Sequence, residues 1–206
     1  MDISSRLQRG ANELGLSLSE TKIDRLLLYL ALIQKWNKAY NLVGTSNTAD
    51  LVEKHLLDSL SISKFINESP VLDVGSGAGL PGIPLAITLP DISFTLVDAN
   101  GKKVRFMRQA CIELNLKNVE IVQSRIENYT TDNAFKTVVA RAFAPLESAL
   151  CQLAEACIKG GQINIMLGVP PQKLPENKNI SNLQVHELNV PGLDSKRHLL
   201  VANKTQ

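Results

Sequence analysis

The chain has 206 residues, enough for one domain with an extension and for a sizeable core that needs no disulfide or metal staple. Its 44% hydrophobic and 20% charged residues are ordinary for a globular protein, and 4% aromatics exclude a surface built on many stacking rings. A net charge of +2 permits a nucleic-acid partner without arguing for one.

Three cysteines, Cys111, Cys151 and Cys157, form no C-x-x-C pair and point to a reducing compartment. The start of the sequence carries no long apolar run, and no stretch approaches a membrane span. The expectation is a cytoplasmic protein that leaves the membrane alone.

Residues 1–68 read as helical throughout. Ile23, Leu26, Leu27, Leu30, Ile33 and Trp36 recur at spacings of three and four, after a start signal at Ser19. Leu51, Leu56, Leu57, Leu60, Ile62 and Phe65 predict another helix beyond the Asn41–Asn47 loop. From residue 70 short apolar runs alternate with helical stretches. Strands are predicted at Val71–Val74, Ile92–Val97, Val119–Val122, Thr137–Ala140 and Gln162–Leu167, and helices at Pro84–Leu89, Lys102–Leu114 and Leu146–Ile158. Alternation of this kind predicts an open, mostly parallel sheet with helices on both faces, an α/β fold over residues 69–206. Leu183–Val190 and His198–Ala202 are two further strand candidates, and Pro191-Gly192 between them suggests an antiparallel excursion.

The strongest signal is Asp73-Val74-Gly75-Ser76-Gly77-Ala78-Gly79-Leu80-Pro81-Gly82, a strand running into a glycine-rich turn and then a helix. Glycines let the backbone turn tightly and approach a ligand, and the helix start offers unpaired N–H groups. The next strand ends in Asp98, whose carboxylate can accept from both hydroxyls of a ribose. Three readings compete: a methyl-donor site, a dinucleotide site and a structural turn. The spacing is G-x-G-x-G rather than G-x-G-x-x-G, and Leu80 follows it. Asp73 suits the ammonium and sulfonium of S-adenosylmethionine and would sit badly beside a pyrophosphate. The phosphate-loop pattern with its Lys is missing.

After the third strand, Ser124-Arg125-Ile126-Glu127 lies where the adenine of such a cofactor would be, or is a solvated strand exit. Arg141, at the end of the fourth strand, should face the ligand edge, unless it merely pairs with a carboxylate. Neither an Asn/Asp-Pro-Pro-Tyr run nor a nucleophilic Cys stands there. Guanine N7 has an in-plane lone pair and can attack a sulfonium methyl without losing a proton. Positioning alone then supplies much of the catalysis, and cations such as Arg141 can hold phosphate or guanine O6.

These residues resemble a known family. The segments Trp36-Asn37-Lys38-Ala39-Tyr40-Asn41-Leu42, His55-Leu56-Leu57-Asp58-Ser59, Asp73 to Pro84, Gly101 to Phe106, Ser124 to Glu127, Arg141 to Ala144 and Arg197-His198 are together similar to the bacterial small-subunit ribosomal RNA guanine-N7 methyltransferases (RsmG, or glucose-inhibited division protein B). The resemblance implies a class I Rossmann-like methyltransferase with a seven-stranded sheet and an N-terminal helical extension. It implies S-adenosylmethionine as donor, S-adenosylhomocysteine as product and 16S rRNA of the small ribosomal subunit as substrate. It implies cofactor contacts at Gly75, Leu80, Ile126, Glu127 and Arg141, with Gly77, Gly79 and Asp98 beside them, next to the Asp73 already read as a cofactor residue. Lys102, Arg125, Arg141 and Arg197 are implied as the cationic working face, with Asn41 and His55 near the substrate.

The fifth strand departs from the family pattern. Where the family ends with Leu-Lys-Gly, this chain has Met166-Leu167-Gly168, and Lys173 is the nearest following lysine. Lys102, Lys103, Arg105 and Arg108 make a basic helix that serves either as a phosphate-binding face or as a solvated one. The histidines lack metal-ligand spacing, so no metal is expected, and nothing demands more than a monomer. Trp36 and the three cysteines read as core residues. A small-molecule methyltransferase and a non-catalytic rRNA-binding factor remain the rivals.

Overall fold

A computed structural model of the chain describes residues 2–45, 47–130, 135–141 and 145–205. The chain begins with α1 (Ile3–Glu13), capped by the Asp2 carboxylate accepting from the Ser5 N–H at 3.0 Å. The long α2 (Glu20–Tyr40) starts at Ser19 as expected, and buries Ile23, Leu26, Tyr29, Leu30, Leu32 and Ile33 along one side. The predicted next helix is a composite. A short α3 (Thr48–Leu51) passes into a π-helical turn (Val52–Leu57), then α4 (Asp58–Leu60) and a 3₁₀ turn (Ser63–Phe65). Such π turns insert an extra residue per turn and often mark functional positions; this one carries Lys54 and His55 and runs into Asp58.

The rest is the sheet and its helices: β1 (Val71–Val74), α5 (Gly82–Thr88), β2 (Phe94–Asp98), α6 (Gly101–Glu113), β3 (Val119–Gln123), a 3₁₀ turn (Ile126–Asn128), β4 (Phe135–Arg141), α7 (Leu146–Ala156), β5 (Cys157–Leu167), β6 (Ile180–Leu188) and β7 (Arg197–Lys204). The seven strands are ordered β3-β2-β1-β4-β5-β7-β6. The first five run parallel, and β7 is antiparallel to both β5 and β6. This is the expected α/β class.

Alternation within the strands divides the core. Val71, Leu96, Val139 and Leu199 belong to a cluster shared with the N-terminal helices, α5 and α6. Their chain neighbours Leu72, Val97, Val138, Ala140 and Leu200 face the other way, onto Leu150 and Leu153 of α7. Helices 1–68 therefore complete one layer of the sandwich around the sheet. Both faces being covered explains why the central strands read as unbroken apolar runs.

Several element boundaries shift by one to five residues from the sequence reading, and the shift at the α7–β5 junction has a clear cause. Helix α7 stops at Ala156, and β5 begins five residues before Gln162, because Cys157 is extended and pairs with Phe135. A register shift follows, at Gly160 (φ +78°) and Gly161, where a Cβ on Gly161 would lie 2.6 Å from Cys157 Sγ. Cys151 is the exception among the cysteines: Cys111 and Cys157 are buried, but Cys151 lies exposed on α7. Trp36 is half-buried, its ring stacked on Tyr40 at 5.3 Å and edge-on to Phe106 at 5.7 Å. Among the described residues no helix is long and apolar enough to cross a membrane.

Candidate active site

Strand order reverses around β1, whose neighbours are β2 on one side and β4 on the other. Ligands of open α/β sheets bind beyond the carboxyl ends of strands at such a point. The glycine-rich turn sits there. Gly75, Gly77 and Gly79 have φ of +68°, +62° and +87°, a left-handed succession that side-chain-bearing residues resist. The turn is pinned at both ends. Gly75 and Ser76 donate N–H bonds to the Val97 carbonyl at 2.8 and 3.2 Å. Tyr29 of α2, fully buried, donates its hydroxyl to the Ala78 carbonyl at 2.6 Å.

Two carboxylates flank the turn. Asp98 accepts from Gly77 N–H and Asn100 N–H, both at 2.8 Å. A carboxylate offers about four lone-pair sites, so acceptor capacity remains. Asp73 is 1% exposed. Its Oδ2 accepts from Gly82 N–H at 2.9 Å, while its Oδ1 is buried without a hydrogen bond. Burial pushes Asp73 up to about 7, against the pull of the Gly82 N–H, then the nearby Ser76 hydroxyl and the Arg141 charge. An unpaired buried carboxylate oxygen beside a bent glycine loop fits a cationic group of a ligand.

The turn borders two hollows that share Gly75. A cleft of about 660 Å³ is lined by the turn from Gly75 to Ala78, Leu80, Lys54, His55, Asp58, Lys103, Arg141, Arg197 and His198, with Leu42, Val43 and Met166 to Gly168. A smaller hollow of about 200 Å³ lies between Val97-Asp98-Ala99 and Ser124-Arg125-Ile126-Glu127. Glu127 also accepts from Gln152 Nε2 of α7 at 3.1 Å, which fixes this rim.

Most sequence-nominated residues meet here. Gly75, Gly77, Leu80, Arg141, His55 and Arg197 line the larger cleft, and Asp98, Arg125, Ile126 and Glu127 the smaller. Asp73, at 1% exposure in β1, and Gly79 of the turn line neither hollow. Two more nominees, Lys102 and Asn41, also line neither hollow. Lys102 is exposed on α6, and Lys103, about 100° further round the helix, takes the cleft position. Asn41 is exposed and ends α2 in a left-handed conformation (φ 47°), while the next residues, Leu42 and Val43, reach the cleft. Ala142, Phe143 and Ala144 of the Arg141 motif lie outside the described residues. Lys173 is exposed, pairs with Glu176 at 3.4 Å and does not line the cleft, so Leu167 stands there without a replacement lysine.

Asp58 was not singled out from the sequence. It is 5% exposed, with Arg141 Nη1 at 3.3 Å from Oδ2 and Arg197 Nε at 3.4 Å from Oδ1. Burial raises its pKa while the two guanidiniums oppose the rise. The usable signal was an acid inside the apolar run Leu56-Leu57-Asp58-Ser59-Leu60, since a buried charge requires a partner. His55 is held neutral: burial, then the nearby Arg141 charge, lowers its pKa to about 4. The Lys54 backbone opposes this weakly without reaching hydrogen-bond geometry, and both ring nitrogens are unpaired. Among the described residues no cluster of three or more His, Cys, Asp or Glu is arranged for a metal.

The family model described as rRNA small subunit methyltransferase G, named GidB, matches residues 22–200. The chain belongs to the GidB family. Ribosomal RNA small subunit methyltransferase G of Pseudomonas syringae pv. tomato is 43% identical over 210 residues, covering 98% of this chain and 97% of its own. Its namesake in Methylococcus capsulatus is 44% identical over 197 residues, with 94% and 95% covered. The Synechocystis magnesium protoporphyrin IX methyltransferase, whose structure has bound SAM, superposes with a TM-score of 0.60 at 16% identity, covering 92% of this chain and 99% of that one. That likeness establishes the shared fold. The family resemblance read from the sequence is thus borne out over nearly the whole GidB-type chain.

Proposed function

We propose that this chain transfers the methyl group of S-adenosylmethionine to N7 of a specific guanine in 16S rRNA of the small ribosomal subunit. One observation carries the reading: the glycine turn borders both an acid-flanked hollow suited to an adenosine and a cleft bordered by Lys54, Lys103, Arg141 and Arg197. In this reading residues 69–206 hold the cofactor, and the helical region 1–68 closes the cleft from above the glycine turn. The protein acts as a cytoplasmic monomer and uses no metal.

Asp98 receives the ribose hydroxyls, Ile126 packs on the adenine, and Asp73 with the Gly75–Gly79 turn holds the amino-acid end. When bound, S-adenosylmethionine supplies an electrophilic sulfonium methyl. N7 carries its own lone pair, so the protein has no proton to remove from it. Its work is to hold the guanine in line, to exclude water and to anchor flanking phosphates on Arg141, Arg197 and Lys103. Arg125, on the rim of the smaller hollow, and Lys102, on the outer face of α6, reach RNA outside the cleft.

The test is transfer of labelled methyl from S-adenosylmethionine to small subunits lacking the modification. The expected product is N7-methylguanine in 16S rRNA, lost with Arg141→Ala. Label on small nucleophiles without RNA, or cofactor binding without turnover, overturns the reading.

A further inference from the structure

The cleft holds four cations, and one buried acid touches two of them. Asp58 comes from α4 in the N-terminal helical region, Arg141 from the end of β4, and Arg197 from the start of β7. Three segments distant in sequence therefore meet on one carboxylate. Each guanidinium offers it a single contact, at 3.3 Å for Arg141 and 3.4 Å for Arg197. These are longer than the ~2.7–2.9 Å of a full charge-assisted hydrogen bond. The Arg197 contact is in ion-pair range but outside hydrogen-bond geometry, which leaves Asp58 Oδ1 unpaired.

The remaining bonds steer the arginines further. Arg141 Nη1 also donates to the Lys54 carbonyl at 3.4 Å. Arg197 Nη1 donates to Ser195 Oγ at 2.8 Å and to the Lys196 carbonyl at 3.4 Å. Among the described residues, Nη2 of neither arginine makes a hydrogen bond. A single carboxylate thus fixes where two guanidiniums lie without consuming their forks. Without it, two like charges would face each other in a partly buried cleft.

We infer that Asp58 is a positioning residue: it holds Arg141 and Arg197 as a coupled pair whose free N–H groups together receive one phosphate of the RNA backbone. The inference rests on the rRNA-methylation reading. Side chains that act as a unit give strongly non-additive losses when removed in turn, and a misplacement of about 1 Å far from the chemistry can cost about 100-fold in rate. Each lost phosphate contact also lowers the salt slope of binding by about one.

The experiment is a double-mutant cycle of Asp58→Asn and Arg197→Ala. It measures kcat/KM and the salt dependence of KM for unmethylated small subunits, corrected for the folded fraction by circular dichroism. Asp58→Asn is expected to lower kcat/KM about 100-fold and the salt slope by about one. The double variant should lie within about twofold of the worse single variant. Asp58→Glu, which keeps the charge, should recover most of the activity, and Asp58→Ser replaces Asn in the cycle if the Asn protein does not fold. Losses that multiply independently, an unchanged salt slope, or Glu no better than Asn overturn the inference. If the wild-type protein itself puts no methyl on rRNA, the functional reading fails first, and the cycle is not reached.

Discussion

Tyr29 and Ala78 lie 49 positions apart in the chain, yet the buried Tyr29 hydroxyl donates to the Ala78 carbonyl at 2.6 Å. The N-terminal helical layer thereby holds the middle of the glycine-rich turn. Tyr29→Phe leaves that carbonyl buried and unpaired, at a cost of about 1–3 kcal/mol. For a chain of this length, each kcal/mol moves the unfolding midpoint by about 2–4 °C. The expected outcome is a lower midpoint in a thermal melt together with weaker S-adenosylmethionine binding by calorimetry. A drop in midpoint with unchanged cofactor affinity would reduce Tyr29 to a packing residue.

Gly82 opens α5 and gives its N–H to Asp73. A Cβ there would stand 2.6 Å from Asp73 Oδ2 and 2.8 Å from Leu96 Cγ. Neither neighbour can retreat: Asp73 sits in the fully buried β1 and Leu96 in the fully buried β2. Gly82→Ala is expected to destabilise by about 1–3 kcal/mol through overpacking and to lower cofactor affinity by displacing Asp73. Equilibrium unfolding and calorimetry on the same variant check both parts.

The pH dependence of Asp73 has a definite sign. Its folded pKa of about 7 lies above the ordinary carboxylate value of 3.8, so the folded protein binds this proton more tightly than the unfolded chain. The stability tied to this proton is fully present below about pH 4 and is lost as pH rises through about 7. Cofactor binding runs the other way. A cationic ligand favours the carboxylate, so affinity strengthens as pH rises through about 7, and binding near that pH releases a proton. Calorimetry in buffers of different ionisation enthalpy should show that release, and Asp73→Asn should abolish it.

How much of this was readable in the sequence follows from where the signals are local. The glycine turn, Asp73 and Asp98 were legible because strand, turn and helix follow one another in the chain, and spacing alone sets their geometry. The sheet was legible because doubly covered strands read as apolar runs. The Asp58 link was hidden, because it joins residues 83 and 139 positions apart and leaves no periodic trace. Lys103 against Lys102 was a matter of helix phase that a charge cluster does not reveal. The π-helical turn at Val52–Leu57 was invisible for a similar reason: an apolar stripe does not distinguish α from π winding over six residues. The early start of β5 came from pairing of Cys157 with Phe135 rather than from local preference.

Leu167 ends β5 beside His198 of β7 and lines the cleft between Met166 and Gly168. The strand delivers this side chain to the same mouth as Arg141 and Arg197, so a cation there would face whatever anion they receive. Leucine instead offers apolar surface, and Lys173, paired with Glu176, does not compensate. Leu167→Lys should therefore add one phosphate contact. Its mark is a steeper salt dependence of KM for small subunits, by about one in logarithmic slope, together with a lower KM at low salt. The new ammonium adds positive charge to a cleft already holding Lys54, Lys103, Arg141 and Arg197, and burying it unpaired would cost stability. The variant protein should thus melt lower when free of RNA, while binding RNA more tightly. An unchanged KM and salt slope would mean that the RNA backbone passes this position at a distance, and that the leucine serves the packing around β5 rather than the substrate.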